Sequence, residues 1–138
     1  MANVVAFDDV KATRTERVVE GNKRVWRTNF MISTLEDPDP PQAFLAEMSP
    51  YRNLRTHFHD NDQFQVFVAG DGAAGSHPIA PFQVHFARKH TPYGPIVATD
   101  KSVGFLTLRT RRDPGAQFLP EQREKLVNIK GRQPWQLT

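Results

Sequence analysis

The clearest chemical signal in the sequence is a pair of histidines followed by a glutamine, His57-Phe58-His59 and Gln63. In an extended strand, alternate residues share a face. His57 and His59 therefore point the same way, and Arg55 points with them, while Leu54, Thr56 and Phe58 point to the other face. Asp60-Asn61-Asp62 is turn chemistry, after which the chain reverses and presents Gln63, Gln65 and Phe67 on one face. If Gln63 folds back beside the histidines, two imidazoles and an amide oxygen converge. Imidazole suits divalent transition ions, and an amide carbonyl is a neutral oxygen ligand. The expected cofactor is a divalent metal ion (Fe, Mn, Ni or Zn) held by His57, His59 and Gln63.

Other residues of matching chemistry surround this trio. Arg55 is a candidate for gripping a substrate carboxylate bidentately. Its plainer role is an ion pair with Asp60 or Asp62 at the mouth of the site. Gln65 is a candidate substrate-binding residue or a polar strand residue. His85 is a candidate ligand or proton carrier, or a hydrogen-bonded core histidine. Tyr93 is a candidate general acid, or a turn aromatic capping the core. His90, at a turn, is a weaker candidate, and His77, before Pro78, reads as surface.

The run His57-x-His59-x-x-x-Gln63, with Gly70 after it, resembles the first motif of the cupin superfamily: His-x-His, three or four residues, Glu, six residues, Gly. Three residues separate His59 from Gln63, and six separate Gln63 from Gly70. The family's leading Gly falls at Tyr51, and its Glu is replaced by Gln63, so the site carries one less negative charge. The second motif, Pro-x-Gly, two residues, His, has its counterpart between His85 and Pro95. Anchored on Pro92-Tyr93-Gly94, the His slot falls on Val97. Slid earlier, so that Gly94-Pro95 follows the slot, it falls on Tyr93. Neither is histidine, so a fourth ligand must come from Tyr93, His85 or solvent.

The resemblance covers roughly residues 43–110. It implies an all-β, cupin-type jelly-roll β-barrel, and a homodimer formed through N-terminal strand exchange, for which residues 1–30 are long enough. It also implies a metal-dependent isomerase, lyase or dioxygenase. The ion would act as a Lewis acid on a small carbonyl- or carboxylate-bearing molecule, and Tyr93 or His85 would move a proton. The alternative is a metal-poor cupin that binds a small polar ligand as a sensor or storage module.

These residues need strands to position them, and the patterning supplies strands. Short apolar or alternating runs recur between turn signals. They predict strands at 17–19, 23–30, 43–48, 54–59, 63–69, 82–87, 96–98 and 103–110, with Gly70-Asp71-Gly72 ending the fifth. The stretch 35–41 holds three prolines and reads as an exposed loop. Pro120 to Leu126 reads as a short helix, with proline in its first turn. The tail ending Pro134-Trp135-Gln136-Leu137-Thr138 is expected to fold back on the barrel or join a dimer contact. The chain thus divides into an arm (1–22), a barrel core (43–110) and a C-terminal tail (111–138) of one domain.

Composition narrows the function classes. At 138 residues the chain is one domain's worth. It has no cysteine, which excludes disulfides, thiolate metal sites and cysteine nucleophiles. Lys and Arg number 18 against 15 Asp and Glu, a mild excess. Its densest cluster, Arg109, Arg111 and Arg112, reads as a solvated rim rather than a nucleic-acid footprint. No nucleic-acid partner is expected, and no membrane partner, since no run approaches the ~20 apolar residues of a membrane span. Residues 1–9 lack a basic segment followed by a long apolar one, so the cytoplasm is the expected location.

Overall fold

The structure is a computed structural model that describes residues 4–31, 39–130 and 136–137. A short helix α1 (Phe7–Val10) and a 3-10 turn precede the first strands, β1 (Thr15–Val19) and β2 (Lys23–Asn29). Then come β3 (Gln42–Met48), β4 (Asn53–Leu54), β5 (His57–Phe58), β6 (Gln63–Ala74) and β7 (His77–Pro78). The remainder are β8 (Val84–Ala87), β9 (Ile96–Arg109), β10 (Gln117–Phe118) and β11 (Gln136–Leu137). Among the described residues no helix is long and apolar enough to cross a membrane.

Nine of these strands form one sheet in the order β1-β2-β3-β9-β6-β8-β11, with β4 on β9 and β7 on β6. Every pairing is antiparallel. Strands β5 and β10 make a separate two-stranded ribbon. The sheet forms because its central strands alternate: Gln63, Gln65 and Phe67 of β6 are buried while Phe64 is exposed, and Val103, Phe105, Thr107 and Arg109 of β9 are buried while Leu108 is exposed. Cross-strand register then stacks the inner residues in rungs. Phe105 lies between Ala46 and Phe67, Thr107 between Phe44 and Gln65, and Arg109 between Gln42 and Gln63. On the far side of β6, Gln65 faces His85. One end of this inner face is an apolar core built on Met48, Phe67, Ile96, Val103 and Phe105; the other end is polar.

The structure corrects several expected boundaries. Strand β6 does not end at Gly70 but runs to Ala74, with register shifts against β9 between Phe67 and Ala69 and between Gly70 and Gly72. A side chain at Gly70, whose φ is +95°, would overlap the Ser102 carbonyl. The glycine therefore lets two strands pass closely, instead of turning the chain. Segments 96–98 and 103–110 are one long strand, β9. The predicted strand 54–59 is broken into β4 and β5. The helix at 120–126 shrinks to one 3-10 turn, Arg123–Leu126. Most of the proline-rich loop 35–41, and Trp135 of the tail, lie outside the described residues. The tail's Gln136 and Leu137 pair with Phe86 and His85 of β8.

Candidate functional site

His57 and His59 lie on the β5 segment that closes over the polar end of the inner face. Both are buried, with ring centroids 5.2 Å apart and planes nearly perpendicular. Tyr93, in the loop before β9, is tied to His57 by a backbone bridge with hydrogen bonds in both directions, 3.1 and 3.0 Å. That bridge sets the phenol ring 4.5 Å from the His57 ring and 4.7 Å from that of His85. Strand β6 brings in Gln63 and Gln65, and β9 brings in Arg109.

The hydrogen bonds form a chain whose direction is fixed by its ends. Arg109 can only donate, and its Nε donates to Gln63 Oε1 at 2.9 Å. The Gln63 amide NH₂ must therefore be the group that donates to the Tyr93 hydroxyl. At the other end, the Arg55 carbonyl can only accept, and His57 Nδ1 donates to it at 2.7 Å. His57 Nε2 then carries no proton and accepts from the Tyr93 hydroxyl at 2.9 Å. One tautomer of His57 and one orientation of Gln63 follow.

A second cluster fixes His59. Its Nδ1 donates to Asp113 Oδ1 at 2.7 Å. Asp113 also accepts from the backbone nitrogens of Asp60 (3.1 Å) and Gly115 (2.9 Å) and from the Asn61 amide (3.2 Å). The Arg109 guanidinium lies 3.2–3.3 Å from the two ring nitrogens of His59, and it donates to Gln42 Oε1 at 3.2 Å. Its distance to the Asp113 carboxylate is longer, 3.7 Å.

The electrostatics follow from this burial. Burial, the neighbouring His59 and the Arg109 charge hold His57 down at about 3, against the upward pull of the Arg55 carbonyl. His85 is pushed down to about 4 by burial. His59 is lowered by burial, partly offset by Asp113. Burial raises Tyr93 well above the ordinary phenol range. Hydrogen bonding to His59, together with the His59 and Arg109 charges, outweighs burial and keeps Asp113 far below the usual carboxylate range. At neutral pH the site thus holds neutral imidazoles, a protonated phenol, one carboxylate and one guanidinium.

These groups open onto a cavity of about 550 Å³, walled by β1, β2, β3, β6 and β9 and by the segments carrying His57, Tyr93 and Asp113. Of the expected site residues, His57, His59, Gln65 and Tyr93 line it. Gln63 is buried behind them, bonded to Tyr93 and Arg109. His85 donates from Nδ1 to Gln65 Oε1 at 2.9 Å, and its ring lies tilted beside that of Tyr93.

Arg55 lies elsewhere. It is exposed, pairs with Glu121 at 2.9 Å and lies over the Phe118 ring. The strict alternation that put it with the histidines fails because the strand is interrupted between Leu54 and His57. Arg109 also departs from expectation. Its side chain is 6% exposed, not part of a solvated rim. It ends the inward series Val103, Phe105, Thr107, Arg109, and that alternation was a readable signal. Asp113 follows the strand with no pattern to mark it.

No family model matches the chain, and no curated protein matches its sequence. Solved structures do match. A polyketide cyclase from Streptomyces resistomycificus superposes with a TM-score of 0.64 at 17% identity, covering 86% of each chain. A cupin-2 domain protein from Rhodospirillum rubrum superposes with a TM-score of 0.61 at 14% identity, covering 83% of this chain and 81% of the other. The chain has a cupin fold. An oxalate decarboxylase from Lactobacillus farciminis aligns with a TM-score of 0.58 at 16% identity, over 86% of this chain but 37% of the larger one.

In cupin terms, Gln63 stands in the slot of the motif's Glu. Of the two registers for the second motif, the one on Tyr93 agrees with the geometry, since the Tyr93 hydroxyl meets His57 Nε2. The donor atoms, however, are already engaged. Tyr93 takes His57 Nε2, Arg109 takes Gln63 Oε1, and the same guanidinium lies against His59. Among the described residues no group of three His, Cys, Asp or Glu is arranged to hold a metal ion. A fixed positive charge among neutral ligands opposes a second cation. As they stand, these residues do not fit a divalent ion.

Proposed function

We propose that this cupin binds a small carbonyl- or carboxylate-bearing molecule in the cavity, with Arg109 in place of a metal ion as the site's cation. The observation that carries the reading is the position of the guanidinium, bonded to Gln63 and Gln42 and resting on His59. Its charge is buried, and its nearest carboxylate is 3.7 Å away and already saturated by shorter bonds. A buried guanidinium with incomplete compensation favours an anionic or strongly polarised oxygen. The fold shared with a polyketide cyclase supports a carbonyl-bearing ligand, because polyketides are chains of such groups.

The same arrangement supports proton transfer beside a carbonyl. Asp113 holds the Nδ1 proton of His59, which leaves Nε2 unprotonated and accepting from Arg109, so that a ligand oxygen drawing the guanidinium to itself would free Nε2 as the base. A proton taken by His59 from the carbon next to a carbonyl would leave an enolate, and Arg109 would stabilise its oxygen. Tyr93, held protonated, would act as a donor.

A specific observation also keeps the metal-dependent reading in view: His57 and Gln63 meet at the Tyr93 hydroxyl, and the His59 ring lies 5.2 Å from that of His57. Metal content separates the two. Protein purified without chelator is expected to hold substoichiometric Fe, Mn, Ni and Zn, unchanged by His57→Ala with His59→Ala. Its thermal stabilisation by millimolar benzoate is expected to survive EDTA and to vanish in Arg109→Gln. Stoichiometric metal that disappears in the double histidine variant would restore the metal-dependent reading.

A further inference from the structure

The cavity carries more positive charge than its own acid can answer. Arg17 of β1, Arg27 of β2 and Arg52, just before β4, line it together with Arg109. Antiparallel register puts them there. Thr15 and Arg17 share a face of β1, Val25 and Arg27 share a face of β2, and Arg27 is paired to Ala46, itself beside Phe105 on the inner surface. Among the described residues the only acid on the cavity wall is Asp113, which is occupied by His59 and backbone nitrogens. Among the described residues, no carboxylate ion-pairs with Arg17, Arg27 or Arg52.

The four arginines fall into two couples. Arg27 and Arg109 flank the same ring, their guanidinium carbons 3.7 and 5.4 Å from the centre of Phe44. Burial and then the Arg109 charge lower the basicity of Arg27; burial and then Arg17 do the same to Arg52. Like charges lining one cavity raise its energy when empty, less at the exposed Arg17 and Arg27 than at the buried Arg109, and an anion among them relieves it. Apolar side chains, Phe44, Ala46, Met48, Leu54 and Phe105, line the same cavity.

We propose that the ligand of this cavity is a dianion with an apolar, ring-sized body and two separate acidic groups, one held by Arg109 with Arg27 and the other by Arg52 with Arg17. The proposal rests on the reading of the cavity as a ligand site and names the class of ligand it takes.

Calorimetric titration with benzoate, phthalate, isophthalate, terephthalate and phenyl phosphate tests it. At low salt, at least one dicarboxylate is expected to bind about tenfold more tightly than benzoate, with the preference shrinking in high salt. Arg17→Gln with Arg52→Gln, two side chains outside the buried network, is expected to abolish the preference, weakening that dicarboxylate about tenfold more than it weakens benzoate. An unaltered melting temperature checks that this variant folds. If benzoate binds and no dicarboxylate binds more tightly, or if the double variant leaves the preference intact, the dianion proposal falls while the ligand-site reading stands. If phenyl phosphate matches the best dicarboxylate and ignores the double variant, one anion site suffices and the proposal again falls. If none of the five binds at millimolar concentration, both readings fall.

Discussion

The Tyr93 hydroxyl stands between two side chains that would otherwise be stranded. It donates to His57 Nε2 and accepts from the Gln63 amide, and all three groups are buried. Tyr93→Phe keeps the ring and its contacts with His57 and His85 but removes both bonds. Each stranded polar group costs roughly 1–3 kcal/mol, so the variant is expected to lose about 3 kcal/mol in urea unfolding. A loss below about 0.5 kcal/mol would mean that the hydrogen-bonded chain from Arg109 to the Arg55 carbonyl does not exist in solution. At this scale His57, His59 and Gln63 were legible in the sequence because type and spacing mark them within a short stretch, whereas Tyr93, 30 residues beyond Gln63, was one of several candidates. Arg109 was misread, although the alternation of its strand pointed inward, because it stands close to Arg111 and Arg112 and reads as part of a basic run. What separates it from them is its register opposite Gln63, a contact made 46 residues away. Asp113 meets His59 across 54 residues from a segment without periodicity, so no local pattern could have pointed to it.

Strands, by contrast, were read well in kind and poorly in length. Alternation marked the first half of β6 and the end of β9, where every second residue is buried, and more weakly β3, where Phe44 and Met48 are. Glycines were misread, because Gly-x-Gly between apolar runs is a turn signal in most contexts. Here Gly70 and Gly72 let β6 continue past β9 with backbone-to-backbone contact that no side chain would permit. The difference between this role and that of an ordinary loop glycine is measurable. Gly70→Ala would drive its methyl group into the Ser102 carbonyl as well as straining a positive φ. Gly115, at φ +123°, would meet nothing within 4 Å. Gly115→Ala is expected to cost only backbone strain, about 1–3 kcal/mol. Gly70→Ala is expected to cost clearly more, about 4 kcal/mol or failure to fold. Equal melting temperatures for the two variants would show that the β6–β9 approach is looser than described. The break between β4 and β5 has a similar consequence for the site, since it sends Arg55 out to Glu121 while His57 stays inside.

For the molecule as a whole, the buried imidazoles make stability depend on pH. In the folded protein His57 is held down at about 3 and His85 at about 4, whereas in the unfolded chain each titrates near 6.5. Between those limits the unfolded state binds more protons, so stability rises with pH. The histidine contribution is fully present above about pH 6.5 and drains away as the pH falls toward the folded values. Asp113 acts in the same direction but in a lower window. Its folded value is depressed as well, but a carboxylate's contribution is present above about pH 4 and is lost only below it. The window from pH 6.5 to 4.5 therefore reports the histidines with little carboxylate interference. Each can withdraw up to about 1.4 kcal/mol per pH unit, so urea midpoints should fall steadily across the window. His85→Gln keeps a side-chain donor within reach of Gln65 Oε1 while removing the titration, and is expected to flatten the slope by about one proton's worth. A wild-type profile that is flat from pH 7 to 5 would mean that these imidazoles already carry protons in the fold. In that case Tyr93 could not donate to His57, and the neutral, guanidinium-centred site proposed here would have to be abandoned.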